Sequence, residues 1–184
     1  MKHKIALAIS TAALWMGHAQ AAPFQGVVPE KSSITFSYKQ MGVSMDGKFR
    51  KFSTQLNFDP AKIEQAKGSI DIELASIDTG SAEADEEVVG KAWFNVAAFP
   101  KASFVLKQLK ATGPDQYEAT GQLSIKGQTR DMRTPLKLSK QGTQSLLSGS
   151  FVLKRNDFGI GEGMWAKTDV VANEITINFQ LNLK

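Results

Sequence analysis

The sequence predicts an all-β protein, a single antiparallel domain of eight strands with one or two short helices. Apolar and polar residues alternate along most of the chain after residue 22, as they do where one face of each strand is buried. Short turn signals separate several of these segments, which favours antiparallel neighbours. No linker, repeat or low-complexity tract divides the chain, whose 184 residues are the length of one ordinary domain.

The first predicted element is a leader. Residues 1–21 combine a charged start, an apolar run and an Ala-Gln-Ala triplet at residues 19–21, the pattern of a cleaved secretory signal peptide. The apolar run is too short for a membrane span, which needs about 20 residues. We therefore expect an exported mature protein of residues 22–184.

Eight segments carry the strand pattern. The first alternates Ile34, Phe36 and Tyr38 with polar residues, and the second, residues 43–58, is expected to bend near Gly47 or Phe52. The other six are residues 69–74, 102–110, 117–125, 134–138, 147–155 and 174–183. Eight such strands can form a closed barrel or two stacked sheets of a sandwich, and the alternation does not distinguish the two architectures.

Two stretches break the strand period and predict short helices. Asp59 and Pro60 precede residues 61–67 as a cap and a first-turn proline would. Residues 81–92 begin acidic and end in valine and aromatic residues, which predicts a capped helix whose apolar end packs on the sheet.

The composition excludes several classes of function. Cysteine is absent, and the only two histidines, His3 and His18, lie in the predicted leader. The mature chain therefore lacks the residues for zinc fingers, haem ligation through Cys or His, Ser-His-Asp triads and disulfides. The net charge of +4 includes two leader lysines, so nucleic-acid binding is not indicated. No metal site is predicted.

Three motifs have a chemical interpretation, and a structural one is preferred for each. Ile-Asp-Thr-Gly at residues 77–80 resembles an aspartic protease loop, but it occurs once and reads as a strand-ending turn. The glycine-rich residues 159–163 lack the Gly-x-Gly-x-x-Gly pattern of a phosphate loop and indicate a flexible connection. The carboxylates at residues 85–87 point in different directions on a helix, which favours a solvated face over a cation site.

The apolar strand faces carry six aromatic residues that are candidates to contact a ligand. They are Phe36, Tyr38, Phe49, Phe104, Phe151 and Phe179. An eight-stranded barrel is just wide enough either to be filled by its side chains or to hold one small ligand. Composition alone favours the filled core.

Polar residues at the ends of two apolar strand faces suggest the opening of a cavity, where the polar head of a ligand would lie. Strand parity places Gln40 and Arg155 there, and a guanidinium binds phosphate or carboxylate well. The alternative for Arg155 is a solvated charge at a strand end. Trp93 and Trp165 are interpreted as lids over one end of the fold or as core plugs.

Several short segments together resemble, in order, those of one known family. They are residues 33–37, 41–43, 47–52, 58–59, 77–80 with Asp85, 99–104, 121–129 and 155–160. In this order they resemble the YceI-like family of bacterial periplasmic proteins. The resemblance implies a lipocalin-like antiparallel barrel whose elongated apolar cavity binds a long isoprenoid or similar lipid, without catalysis.

The resemblance also bears on the head group and on partners. Gln40 stands where many members have histidine, and Ala84-Asp85 where many have Arg-Asp. Gln40, Asp85 and Arg155 are the head-group candidates. Because these departures remove groups that could contact or balance a charged head, they weaken the expectation of a polyprenyl diphosphate and strengthen that of a quinone or other neutral amphiphile. The alternative function is an accessory subunit of an inner-membrane cytochrome-type protein. The oligomeric state stays open, a homodimer included.

Overall fold

The alternating segments form ten strands of one antiparallel sheet in a computed structural model that describes residues 23–184. The predicted signal peptide, residues 1–21, lies outside the described residues. The strands are β1 (Ser33–Gln40), β2 (Val43–Phe49), β3 (Phe52–Asn57), β4 (Lys67–Glu73), β5 (Ile77–Asp78), β6 (Lys101–Gly113), β7 (Gln116–Ile125), β8 (Gln128–Gln141), β9 (Gln144–Lys154) and β10 (Glu174–Leu183). One α-helix, α1 (Ala82–Val89), lies between β5 and β6.

The sheet is curled into a half-barrel. Its strand order is β3-β4-β6-β7-β8-β9-β10-β1-β2-β5, and the chain links the two ends of this order where β2 continues into β3 through residues 50–51. Tight turns join the neighbours β6 to β9. Between β7 and β8, for example, Lys126 and Gly127 have φ values of 49° and 74°, as in the primed turns that match the strand twist.

The predicted all-β antiparallel fold is confirmed, but the count of eight strands is wrong. The segment predicted as one bent strand, residues 43–58, is divided at residues 50–51 into β2 and β3, which pair with different neighbours. The two-residue strand β5 is additional and pairs with the end of β2.

One of the two predicted helices forms as an α-helix. The segment predicted as residues 81–92 contains α1, preceded by Ser81 in extended conformation. Residues 61–67, predicted as one or two helical turns, contain one 3₁₀ turn, Ile63–Gln65. Asp59 accepts a hydrogen bond from the Ala61 N–H at 2.9 Å, and the turn is short because Lys67 already begins β4.

Two apolar clusters occupy the interior, one toward each end. The first contains Phe58, Leu109 and Tyr117, and the second contains Leu74, Trp93 and Leu153. Trp93, Phe158 and Ile160 belong to connections rather than strands, so loops complete the second cluster. Among residues 23–184, no helix is both long enough and apolar enough to span a bilayer.

Candidate binding site inside the barrel

Two cavities lie within the curled sheet, one of about 320 Å³ and one of about 130 Å³. The larger, called here the outer cavity, is lined by α1 and by residues such as Gln40, Trp93 and Trp165. The smaller, the inner cavity, is lined by residues such as Leu56 and Phe58. The outer cavity alone is within the range of small-molecule sites. The filled core favoured by composition is therefore wrong.

The two cavities meet at a ring of shared residues that we call the belt. Its members, which line both cavities, are Ile72, Ala102, Leu123, Phe151 and Ile177. They come from five strands. Ile72 pairs with Ala102 across β4 and β6, and Phe151 pairs with Ile177 across β9 and β10. The cavities are thus two parts of one apolar interior.

All six predicted aromatic residues face this interior. The outer cavity is lined by Phe36, Tyr38 and Phe49, the inner cavity by Phe104 and Phe179, and both cavities by Phe151. Their contact with a ligand stays a prediction. Period-two alternation was enough to place them, because even in β6 the register shifts begin only after Phe104, between Leu106 and Gln108.

Three of these phenylalanine rings occupy space that a neighbouring residue leaves vacant. A Cβ atom added to the glycine would come within 2.4 Å of the ring's Cζ in each case. The pairs are Phe36 with Gly47, Phe104 with Gly121, and Phe179 with Gly149. The rings therefore lie along the wall of the barrel, which keeps its centre open.

Arg155 lines the outer cavity but is 1% exposed and bound by the protein itself. Its guanidinium donates to six backbone carbonyls at 2.8–3.2 Å, those of Ile160, Gly161, Trp165, Lys167, Val171 and Ala172. All six belong to the β9–β10 connection, residues 155–173. Burial lowers the pKa of this guanidinium. Its N–H groups are occupied, so it offers a ligand charge but no free donor.

The other two head-group candidates occupy different surroundings. Gln40 is exposed at the end of β1, lines the outer cavity, and forms an isolated bridge to Val171. Asp85 does not line either cavity. Its carboxylate accepts hydrogen bonds from the Thr79 N–H and hydroxyl, both at 2.7 Å. The structure thus brings Gln40 and Arg155 to the outer cavity, and uses Asp85 to hold the chain before α1.

Tyr38 carries a hydroxyl on the wall of the outer cavity. Burial raises its pKa, and the charge of Asp85 raises it further. The phenol is therefore neutral at neutral pH and able to donate a hydrogen bond.

Glu87 is a residue of this site that the sequence pattern assigns, with residues 85 and 86, to a solvated face. One carboxylate oxygen accepts hydrogen bonds from the indole N–H of Trp93 at 3.2 Å and of Trp165 at 2.8 Å. The two indole rings are 5.4 Å apart and, like Glu87, line the outer cavity. The sequence feature that could have identified it is spacing, since Glu83 and Glu87 are four residues apart and therefore share a face of the helix. Both line the cavity.

Asp78, of the protease-like motif, has a structural partner. Its carboxylate lies 2.9 Å from Arg50 Nη2 and 3.7 Å from Lys48 Nζ. Hydrogen bonds from Arg50 and from the Gly80 backbone hold its pKa below the usual range. An aspartic protease instead needs two carboxylates sharing a proton. Across residues 23–184 no group of three or more His, Cys, Asp or Glu side chains is arranged to hold a metal ion.

Comparison with known proteins identifies relatives over nearly the whole described chain. The YceI-like domain family matches residues 26–183. A UPF0312 protein of Azotobacter vinelandii is 32% identical over 165 residues, covering 84% of this chain and 85% of its own. A UPF0312 protein of Pseudomonas syringae pv. tomato is 31% identical over 178 residues, covering 91% and 92%.

Solved structures share the fold. Burkholderia cenocepacia BcnA superimposes with a TM-score of 0.82 at 36% identity, covering 86% of this chain and 99% of its own. A polyisoprenoid-binding domain from Saccharophagus degradans gives a TM-score of 0.66 at 15% identity, covering 88% and 97%, a likeness of fold alone. The resemblance seen in the sequence is confirmed, and the chain belongs to the YceI-like family.

Proposed function

We propose that the protein binds and carries, without catalysis, an amphiphilic lipid with a long isoprenoid or similar apolar chain. The observation that carries the proposal is the pair of cavities joined at the belt, lined from strands all around the sheet. Each methylene group moved from water into such a cavity contributes about 0.8 kcal/mol. The Saccharophagus domain of the same fold is described as polyisoprenoid-binding, which supports this class of ligand.

The charges of the outer cavity favour a neutral head group. Glu83 and Glu87 line it, and the guanidinium of Arg155 has its N–H groups on backbone carbonyls. A diphosphate there would meet two carboxylates and gain no arginine hydrogen bond. Tyr38 and Gln40 can bond to a neutral oxygen. An isoprenoid alcohol or quinone therefore fits better than a polyprenyl diphosphate.

Organic extraction of the protein purified from its own cells, followed by mass spectrometry, tests the ligand class. We expect a co-purifying polyprenyl compound or isoprenoid quinone, because burial of the tail slows dissociation. An extract without lipid, together with no binding of added isoprenoid alcohols, would contradict the proposal.

A pair of ligands with one tail and two heads tests the head-group preference. We expect geranylgeraniol to bind at least about tenfold more tightly than geranylgeranyl diphosphate. Glu83→Gln should reduce the difference in affinity between the two ligands. Glu86→Gln should leave this difference unchanged, because Glu86 is exposed and does not line the cavity. Tighter binding of the diphosphate would contradict a neutral head.

The proposed location is the periplasm, and it rests on residues 1–21. N-terminal sequencing of the protein recovered from a periplasmic extract should begin at Ala22. An intact leader on the recovered protein would contradict cleavage.

The accessory-subunit hypothesis has one surface in its favour. Exposed apolar side chains follow or precede residues that line the outer cavity: Met41, next to Gln40, is 77% exposed, and Met164, next to Trp165, is 86% exposed. Val43 and Val170 are also exposed, and the Met41 N–H donates to the Val170 carbonyl at 2.7 Å. A stoichiometric cytochrome-type partner retained from solubilised membranes, lost on Met41→Ser with Met164→Ser, would favour this function.

A further inference from the structure

The belt divides the interior into unequal parts, and the inner part is closed at its far end. Phe58, which lines the inner cavity, is 1% exposed. Its ring lies 5.3 Å from that of Tyr117 and 6.0 Å from that of Phe24. These three aromatic residues plug the end away from α1 and the outer cavity. A chain that enters beside α1 therefore reaches the inner cavity by passing the belt.

Resting on the proposed function, we propose that the belt selects ligands by chain length. A short isoprenoid fills the outer cavity and stops at the belt. A longer one passes between the belt residues and buries its end in the inner cavity. Its affinity is higher because each further buried methylene adds about fourfold. The aromatic plug sets the longest chain that can be buried completely.

Ala102 is the belt residue whose small side chain leaves room for a ligand chain to pass between the two cavities. It is the smallest of the five and is 4% exposed, with its side chain toward the interior beside Ile72, its partner across β4 and β6. A large side chain at residue 102 would project into the passage. Val105 offers a matched position, since it is on the same strand, faces outward by strand parity and is 44% exposed.

The test compares two alcohols that differ in length, farnesol with three isoprene units and solanesol with nine. In the wild-type protein we expect solanesol to bind at least about tenfold more tightly. Ala102→Phe should reduce this difference, because the larger side chain weakens solanesol binding by a greater factor than farnesol binding. Val105→Phe should behave as the wild type for both. Tryptophan fluorescence titration measures the affinities, and thermal unfolding shows that each variant is folded.

Two outcomes would overturn the belt proposal while leaving the proposed function intact. One is equal wild-type affinity for the two alcohols. The other is a folded Ala102→Phe variant that keeps the wild-type ratio, or that weakens both alcohols by the same factor. Binding of neither alcohol by the wild type would instead contradict the proposed function, and the belt proposal with it.

A second variant tests the belt in the opposite direction and covers the case in which Ala102→Phe does not fold. Ile177→Ala removes bulk from the belt on β10, opposite a partner, Phe151, that stays in place. Solanesol should associate faster with this variant than with the wild type, and by a larger factor than farnesol. An unchanged solanesol rate would overturn the belt as the point of selection.

Discussion

Arg155 shows how a single buried charge can be held by backbone carbonyls, since it forms no salt bridge with any of residues 23–184. Six carbonyl oxygens surround its guanidinium. The guanidinium carbon, Cζ, lies 5.4 Å from the centre of the Trp93 ring, which is a cation–π distance. The planar fork reaches carbonyls in several directions at once. The residue therefore fixes the β9–β10 connection, which forms part of the outer cavity wall.

Replacing this residue even by lysine should be costly. Arg155→Lys keeps the charge but offers three donors on a compact ammonium, so several buried carbonyls lose their partner. We expect the free energy of unfolding to fall by about 2–4 kcal/mol, measured by urea denaturation. Lys154→Met, at an exposed neighbour, should stay within about 0.5 kcal/mol. A similarly small effect at Arg155 would show that the carbonyl contacts do not stabilise the fold.

Glu87 joins two tryptophans, and its removal should be visible in their emission. Glu87→Ala leaves the indole N–H groups of Trp93 and Trp165 without their shared acceptor. Trp165 is then free to turn toward water, and the emission maximum should move to longer wavelength. Glu86→Ala is the matched control. An unchanged spectrum in Glu87→Ala would contradict a positioning role for the carboxylate.

Strand β5 is held at the sheet edge by charge as well as by backbone pairing. Lys48 pairs with Asp78 in the β2–β5 ladder, and Arg50 Nε donates to the same carboxylate at 3.2 Å. A two-residue strand has few backbone hydrogen bonds of its own. The ion pairs therefore join β2, where the chain bends into β3, to the segment that leads to α1.

The contribution of Asp78 should depend on pH in one direction. Its folded-state pKa is lowered, so the stabilisation is fully present above the unfolded value of about 3.9 and is lost as pH falls through the folded-state pKa. Asp78→Asn should be less stable than the wild type at pH 7, with a difference that shrinks below about pH 4. Thermal unfolding across pH measures it, with Asp46→Asn as the exposed control. A difference independent of pH would contradict the ionic origin.

Local pattern predicted most elements, and its errors have specific causes. Residues 134–138 were predicted as a strand, whereas β8 begins at Gln128, because the charged residues Arg130, Asp131 and Arg133 hide the alternation. All three are exposed on the sheet. The break between β2 and β3 depends on pairing with β4 and β5, which residue alternation does not contain. Tertiary context decided both cases.

At the scale of the whole molecule, the sequence predicted which aromatic residues face the interior but not the two cavities that they line. Which residues face inward follows from strand parity. Whether they meet in the middle depends on the curvature of a sheet whose pairs join distant segments, such as β1 with β10. The network of Arg155 with the β9–β10 connection, and that of Glu87 with the tryptophans, likewise require a loop conformation with no repeating pattern.

A hollow interior makes stability depend on the ligand. Ligand that binds only the folded state at a hundred times its dissociation constant stabilises by about 2.7 kcal/mol, so geranylgeraniol should raise the melting temperature by about 5–10 °C. Differential scanning calorimetry of delipidated protein measures the shift, with hexanol as the control for solvent effects. Binding without any rise in melting temperature would place the ligand outside the folded interior.

The paired phenylalanines and glycines have a consequence for how the binding range can change. Phe36 faces Gly47 in register, and Phe179 faces Gly149, so a methyl group added at either glycine would push a ring toward the centre. Phenylalanine to leucine would free space for that methyl group on the side of the ring only. The methyl group would also lie 2.7 Å from the backbone oxygen of Asp78 at Gly47 and 2.8 Å from that of Pro135 at Gly149. Exchanging volume between partners on adjacent strands, as a route toward shorter or bulkier ligands, therefore also requires the neighbouring strand to move outward.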